Sequence, residues 1–321
     1  MTDTAVVVPT FRRPESLLRA IRSLFAQAGV ETRLREIVVV DNDPEGSAAV
    51  ALATLRAEAP LPLVAVHEPR PGVATARNAG LAMTTAPLIA FLDDDETASP
   101  GWLAALITTL ERFEADAVFG PIRTVLPDQA LNHRAYLERF FARTGPDASG
   151  PLAQAYGCGN SLLRRAAALP GAAPFETGCD ETGGEDDALF QDLIARGGKL
   201  AWAADALAWE HPPAERATLA YALARAFAYG QGPSQACARA GDWAGVAKWM
   251  AVGAAQAAVN SALVAPALAF NRPDRADRLD RTVRGLGKLA WMRGLEPRFY
   301  GRAGLARGGR ARSAVPAAAA H

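Results

Sequence analysis

The chain has 321 residues, 50% of them hydrophobic and 21% charged, enough for one large α/β domain or for a domain with an appendage. Its 34 basic and 34 acidic side chains cancel, but 12 of the basic and only 4 of the acidic ones lie in residues 271–321, which leaves the first 270 with 22 against 30; an acidic body with a basic tail suits an anionic partner, a membrane surface or a nucleic acid. Cys158, Cys179 and Cys237 are odd in number and widely spaced, without a CxxC, which excludes a disulfide frame or a zinc site as the organising feature and fits a reducing compartment. Met1-Thr2-Asp3-Thr4 has no basic leader character and runs straight into a strand, so no signal peptide is expected.

In chain order, Ala5-Val6-Val7-Val8 is a β-branched run stopped by Pro9-Thr10, a first strand ending in a loop. Pro14-Glu15-Ser16 opens an amphipathic helix through Leu17, Leu18, Ile21, Leu24 and Phe25. Glu36 to Val40 is a second strand closed by Asp41-Asn42-Asp43, Ala48 to Ala57 a helix, and Leu63-Val64-Ala65-Val66 a third strand. Gly72 to Met83 is a Gly turn followed by a helix whose amino end can face an anion. Leu88 to Leu92 is a strand closed by Asp93-Asp94-Asp95-Glu96, Pro100-Gly101-Trp102 starts a helix through Leu110, and Ala117 to Gly120 is another strand. Strands alternating with helices predict a mostly parallel sheet with helices on both faces.

The second half is less regular. Ala130 to Phe141 has a helical pattern, Thr144 to Pro151 reads as a loop, and Gly157-Cys158-Gly159-Asn160-Ser161 precedes Leu162-Leu163. An acid-rich glycine segment, Thr177 to Asp187, leads into a helix that ends at Gly197-Gly198, and Lys199 to Trp202 is a strand. Within the acidic segment, Asp180 and Glu181 read as loop surface. The last third is Ala-rich and helical. Trp249 to Phe270 carries no charge, between Lys248 and Arg272; such a segment can span a bilayer, lie on its surface or pack as an ordinary helix. The expected division is 1–215 for the sheet domain, with halves of about 1–120 and 121–215, then a helical region 216–300 and a disordered basic, Ala-rich tail 301–321.

Strands ending at 8, 40 and 92 deliver polar residues to one edge, and ligands in open α/β sheets bind at such an edge. Adjacent carboxylates there are best tolerated around a cation, and oxygen donors suit Mg²⁺ or Mn²⁺. Five ordered stretches carry a resemblance: Val8-Pro9-Thr10-Phe11-Arg12; Val38-Val39-Val40-Asp41-Asn42; Gly72 through Gly80 with Arg77-Asn78; Phe91-Leu92-Asp93-Asp94-Asp95; and Gly184-Glu185-Asp186. With them, residues 4–211 resemble the family 2 glycosyltransferases, bacterial sugar transferases of exopolysaccharide and cell-envelope synthesis among them.

The resemblance implies a GT-A fold, α/β and Rossmann-like, with a C-terminal helical appendage. It implies inverting transfer of one sugar from a nucleoside diphosphate sugar, UDP-linked by expectation, to a hydroxyl of a glycan or lipid-linked saccharide. Asp186 is then the catalytic base, supported by Glu185. Pro9, Thr10, Arg12, Asp41, Asn42, Arg77, Asp93 and Asp94 hold the nucleotide sugar, with Arg77 either pairing with the acids or reaching the diphosphate. Asp95 is the ligand to Mn²⁺ or Mg²⁺, with His211 as a second candidate or a packed structural histidine, and Asn160 bonds a sugar hydroxyl.

Where many relatives have two Asp after the second strand, this chain has Asp41-Asn42; an Asn carbonyl still accepts a bond from uracil. The Gln-x-x-Arg-Trp motif of processive synthases is absent after His211, where Pro212-Pro213-Ala214-Glu215-Arg216 stands. These features imply an enzyme peripheral to the cytoplasmic face of the membrane, meeting an anionic surface through residues 249–312 and no nucleic acid. Two rivals remain at this stage: a nucleotidyltransferase, which needs a Gly- and Lys-rich loop that Pro9 to Pro14 lacks, and a degenerate domain acting as a membrane scaffold.

Overall fold

In the computed structural model, which describes residues 3–128 and 132–299, strand β1 (Thr4–Thr10) shows how the sheet is built. Its alternation turns Val6 and Val8 to one face and Ala5 and Val7 to the other, and all four are fully buried. Both faces are therefore covered, as parallel sheets require. The chain continues through α1 (Pro14–Phe25), β2 (Leu34–Asp41), α2 (Ala49–Glu58), β3 (Leu63–His67), α3 (Val73–Ala82) and β4 (Leu88–Phe91). Leu17 and Ile21 of α1 and Leu52 and Leu55 of α2 join the core on the Val6 face. Ala74, Ala76 and Leu81 of α3 join the core on the Val7 face.

Next come β5 (Glu96–Ala98), α4 (Trp102–Arg112), β6 (Ala117–Phe119), β7 (Ile122–Thr124), α5 (Arg134–Phe141), β8 (Gly150–Leu152), β9 (Ser161–Arg164), α6 (Arg165–Ala168), α7 (Glu185–Ala195), β10 (Leu200–Trp202) and β11 (Ala208–Glu210). The large sheet has the order β3-β2-β1-β4-β9-β6-β10-β8. β1 lies parallel to β2, Thr10 opposite Asp41, and parallel to β4, Val7 opposite Phe91, so these strands end at one edge. β9 interrupts the parallel run. It is antiparallel to both neighbours, with Ser161 opposite Phe91 of β4 and Phe119 of β6. Because β9 begins where β4 ends, residues 157–160 arrive beside the acids after β4. The end of the expected 144–151 loop is strand β8, antiparallel to β10. A second sheet, β5-β11-β7, sets Glu210 opposite Glu96.

The chain divides into two compact units. One takes residues 1–123 and 142–211 with the segment from 298, and the other takes 124–141 and 212–297. Segment 124–141 thus groups with the helical unit, away from the 121–215 stretch to which the sequence pattern assigns it. The helical unit holds α8 (Leu219–Arg239), α9 (Trp243–Ala269) and α10 (Arg275–Leu289) together with α5. Thr218 and Asp242 cap α8 and α9 by accepting from the amides of Tyr221 and Gly245. α9 is long and apolar enough to cross a bilayer. It packs one side on α10, where Gly253 meets Gly285 and Gln256 Oε1 accepts from Lys288 Nζ at 3.1 Å. Its other side exposes Val252, Val259 and Leu263, and Phe270 is exposed at its end. The expected tail 301–321, and the part of 249–312 beyond residue 299, lie outside the described residues.

Candidate active site

The polar edge begins at the end of β1. Thr10 Oγ1 donates to Asp94 Oδ2 at 2.7 Å, and the Phe11 amide donates to the same oxygen at 3.3 Å. Arg13 Nη1 bridges Asp94 Oδ1 at 2.9 Å and Asp95 Oδ2 at 2.6 Å. Arg12 does not face this cluster. Its backbone is left-handed, with φ 57°, and its guanidinium pairs with Asp43 and Glu45, both at 3.0 Å. Pro9, like Thr10, belongs to β1 itself, opposite Val40. The motif loop thus offers its second arginine to the acids, a residue that the expected site omitted although it adjoins the motif.

The two residues expected at the base after β2 are engaged by backbone. Asp41 is buried and accepts from the amides of Ala48 at 2.8 Å and Asp43 at 3.2 Å. It also lines a cavity of about 290 Å³ with Ala49, Leu52, Ala65 and His67. Asn42 donates to the carbonyls of Glu68 at 2.9 Å and Arg70 at 2.7 Å, and its Oδ1 accepts from the Gly72 amide at 2.7 Å. It ties the end of β2 to the turn that starts α3.

On α3, Arg77 is buried, with its side chain 5% exposed. It donates to Glu185 Oε1, lies 3.5 Å from Asp93 Oδ1, and stacks near the rings of Phe91 and Phe175. Its Nε is buried without a hydrogen-bond partner. Burial raises the Glu185 carboxyl to about 7 against the pull of Arg77. Burial also raises Asp93 and Asp94, opposed by Arg77 and Arg13 respectively. Glu96, buried beside Asp93, is raised well above the ordinary range for the same reason.

Helix α7 presents Glu185, Asp186 and Asp187 in its first turn, where carboxylates meet the positive end of the helix dipole. Each goes a different way: Glu185 inward to Arg77, Asp187 out to solvent, and Asp186 across to β9's approach. Asp186 Oδ2 accepts from the Cys158 amide at 3.0 Å and Oδ1 from the Asp187 amide at 2.9 Å. The charge of Asp186 is one of the causes that raise Asp93, so acids from β4 and α7 share one site. Gly159 faces Asp93 so closely that a Cβ there would come to 2.6 Å from Asp93 Oδ2.

Arg143 holds this segment, donating to the carbonyls of Gly157 at 2.9 Å, Gly159 at 2.7 Å and Asn160 at 3.1 Å. Nothing in the sequence around Arg143 marks it. Asn160, expected at the sugar, is fully buried; Oδ1 accepts from Trp102 Nε1 at 2.7 Å, and Nδ2 donates to Pro121 O at 2.8 Å and Ala206 O at 3.0 Å. That is a correction: the amide frames the approach to β9 and has no surface to offer a hydroxyl.

His211 follows β11, its amide donating to Asp95 O at 2.7 Å and its Nε2 bonded with Thr97 Oγ1 at 2.9 Å. Burial lowers its imidazole, with Arg19 adding to the effect, which favours the neutral ring, the form that ligates metals. Among the described residues no three His, Cys, Asp or Glu side chains close around one point. An Mg²⁺-type site needs only one or two carboxylates when substrate phosphates complete it. The hard oxygens of Asp94 and Asp95, which here draw the guanidinium of Arg13, fit that requirement.

The parallel strand ends and the ordered acids that follow them agree with what a family model finds: glycosyl transferase family 2 matches residues 5–169. The chain belongs to that family. The glycosyltransferase is 38% identical over 225 residues to the succinoglycan biosynthesis protein ExoM of Rhizobium meliloti, covering 70% of this chain and 72% of that one. It is 31% identical over 125 residues to ExoW of the same organism, covering 38% of each chain. It is also 35% identical over 106 residues to the pre-mycofactocin glycosyltransferase of Mycobacterium tuberculosis, 33% of this chain and 20% of that one. The solved structure of S. aureus TarS 1-349 aligns over 93% of this chain and 99% of its own with a TM-score of 0.54 at 14% identity, a likeness of fold. A glycosyltransferase of this family works on a nucleotide-sugar donor and a glycan acceptor.

Proposed function

We propose that this glycosyltransferase moves one sugar at a time, with inversion, from a UDP-linked donor to a hydroxyl of a glycan or lipid-linked saccharide during exopolysaccharide or cell-envelope synthesis. The observation that carries the reading is Asp186, hung from the Cys158 amide at 3.0 Å across from the acids after β4. The acceptor hydroxyl gives its proton to Asp186, and its oxygen forms a bond to the anomeric carbon as the bond to the diphosphate breaks. A single base opposite the leaving group gives in-line displacement. Charge developing on the diphosphate is met by Arg13, placed between Asp94 and Asp95. Mn²⁺ or Mg²⁺ held by Asp95, with Asp94 and His211 as the other candidate donors, supplies further charge neutralisation when bound. Asp41, with Asn42 behind it, faces the base, and Thr10 and Asp93 bound the ribose side. The likeness to succinoglycan proteins supports the exopolysaccharide setting.

A thermal-shift screen of UDP, GDP, CDP and TDP sugars, with and without Mn²⁺, tests the donor and the metal together. The reading expects stabilisation by UDP sugars that needs the metal; a GDP-, CDP- or TDP-specific response overturns the UDP assignment, and an equal shift without metal overturns the cation.

In the helical unit, the apolar outward residues of α9 beyond Lys248, Val259 59% exposed among them, with Phe270 exposed at the helix end, support attachment to the cytoplasmic face of the membrane, the helix lying on the surface. Its other side packs on α10, which carries Asp277, Asp280, Arg281 and Arg284, and that favours lying on over spanning. Replacing both Val259 and Leu263 by Asp is expected to abolish pelleting with anionic vesicles; unchanged pelleting removes this surface from the account.

A further inference from the structure

The amino end of α3 faces an anion, and that anion belongs to the chain. Asp180, expected as loop surface, accepts from the Thr75 amide at 3.0 Å and from Thr75 Oγ1 at 2.6 Å. Asn78, in the next turn of α3, grips Phe175 from both sides, donating to its carbonyl at 2.8 Å and accepting from its amide at 3.1 Å. Phe175 itself is buried against Phe91, ring centroids 5.7 Å apart. The segment 175–180 is thereby fastened to α3 at both ends.

Immediately downstream the chain turns through Gly183 and Gly184, with φ of 82° and 91°. Glycine adopts this left-handed conformation without strain, but it also loses the most conformational freedom on ordering. A Gly-Gly turn has little stiffness of its own, and Glu185 begins the helix right after it, with Asp186 its second residue. Where the turn points depends on what holds the chain before it: the α3 contacts at 175 and 180, the Gly183 amide on the Cys179 carbonyl at 2.8 Å, and the Phe299 amide on the Glu181 carbonyl at 3.1 Å. Arg77, on α3 between Thr75 and Asn78, takes Glu185 on the far side of the turn, so one helix holds the base segment at 175, 180 and 185.

We propose that Thr75 and Asn78 are positioning residues for Asp186: by fastening residues 175–180 to α3 they fix the direction of the Gly183-Gly184 turn and hence the place of the base. The proposal rests on Asp186 being the base. Thr75 and Asn78 act through the segment and touch neither the acids 93–95 nor the Cys158 amide. They control proton removal from the acceptor, and donor binding is independent of them.

The test uses the full chain as wild type, Thr75→Val, Asn78→Ala and Thr75→Ser. Hydrogen–deuterium exchange is read across 176–186, UDP affinity is measured by calorimetry with Mn²⁺, and turnover is followed as nucleoside diphosphate release from the donor that responds in the screen. Loss of the fastening bonds is expected to speed exchange across 176–186 about tenfold in the Val and Ala variants. Misplacement of the base is expected to lower kcat by about 10²-fold. UDP affinity stays within about twofold, the change expected when no donor contact is lost. Thr75→Ser, which keeps the hydroxyl, restores both exchange and kcat. Unchanged exchange in the Val and Ala variants overturns the proposal. So does faster exchange with kcat intact, or a kcat loss that Thr75→Ser fails to rescue. Wild-type protein that turns over no nucleotide sugar, or an Asp186→Asn variant as active as wild type, overturns the base assignment instead, while the exchange data still decide whether Thr75 and Asn78 fasten the segment.

Discussion

The acids after β4 and the acids opening α7 face each other, yet they are held by opposite kinds of partner. Asp94 and Asp95 are bridged by a guanidinium, that of Arg13. Among the described residues Asp186 receives backbone amides, those of Cys158 and Asp187. A guanidinium shared by two carboxylates occupies an oxygen of each, whereas a carboxylate held by two amides keeps further lone pairs for a hydroxyl proton. Between the two groups, Arg77 binds Glu185 and lies 3.5 Å from Asp93. On the proposed reading the β4 side manages charge, the α7 side manages a proton, and Arg77 keeps the two in register.

The largest effect expected from breaking that arrangement is at Arg77. Arg77→Met leaves Glu185 buried without its cation, and loss of one partner of a buried pair costs about 3–5 kcal/mol. A urea titration should show that loss, and the double variant Arg77→Met with Glu185→Leu should recover most of it; equal stability of single and double variants would remove Arg77 as the link. The next effect comes from pH. Glu185 titrates at about 7 in the folded chain against an ordinary 4.5. The folded state therefore binds its proton more tightly than the unfolded state, so stability is lost as pH rises between those values and levels off above them. The shift amounts to about 3 kcal/mol at most. Asp93, Asp94 and Glu96 shift in the same direction. The urea midpoint should fall from about pH 5 to about pH 7.5, and less steeply in Glu185→Gln; a midpoint that rises over that range contradicts the assignment. The smallest effect separates the neighbouring arginines. Arg13→Ala should weaken UDP binding about tenfold, the scale of one charged hydrogen bond, while Arg12→Ala, facing Asp43 and Glu45, should change it far less. Equal losses would mean that the β4 acids do not depend on Arg13.

The donor edge was the readable part of the sequence, because parallel strands report themselves locally. A short apolar run that stops in acids predicts a buried strand end, and β1, β2 and β4 do end together, Thr10 opposite Asp41. What the sequence did not make legible depends on distant partners. Ser161-Leu162-Leu163-Arg164 becomes an antiparallel strand only because β4 and β6 stand on either side of it, and that insertion is what buries Asn160 under Trp102. Arg143 carries no local signal, and its role shows only where the carbonyls of Gly157, Gly159 and Asn160 gather on its guanidinium. Asp180 looks like solvated acid because its partner Thr75 is 105 residues away. Arg12 and Arg13 are indistinguishable by composition; the left-handed backbone at Arg12 sends one guanidinium to Asp43 and the other to Asp94.

The most direct test of the division between charge and proton is a pair of variants, Asp186→Asn and Asp95→Ala, each measured for Mn²⁺-dependent UDP binding by calorimetry and for sugar transfer. Asp186→Asn is predicted to bind UDP and Mn²⁺ as wild type does while transfer falls by about 10³-fold or more. Asp95→Ala is predicted to lose the Mn²⁺-dependent part of binding. Transfer that survives in Asp186→Asn, or metal-dependent binding that survives in Asp95→Ala, would contradict the account.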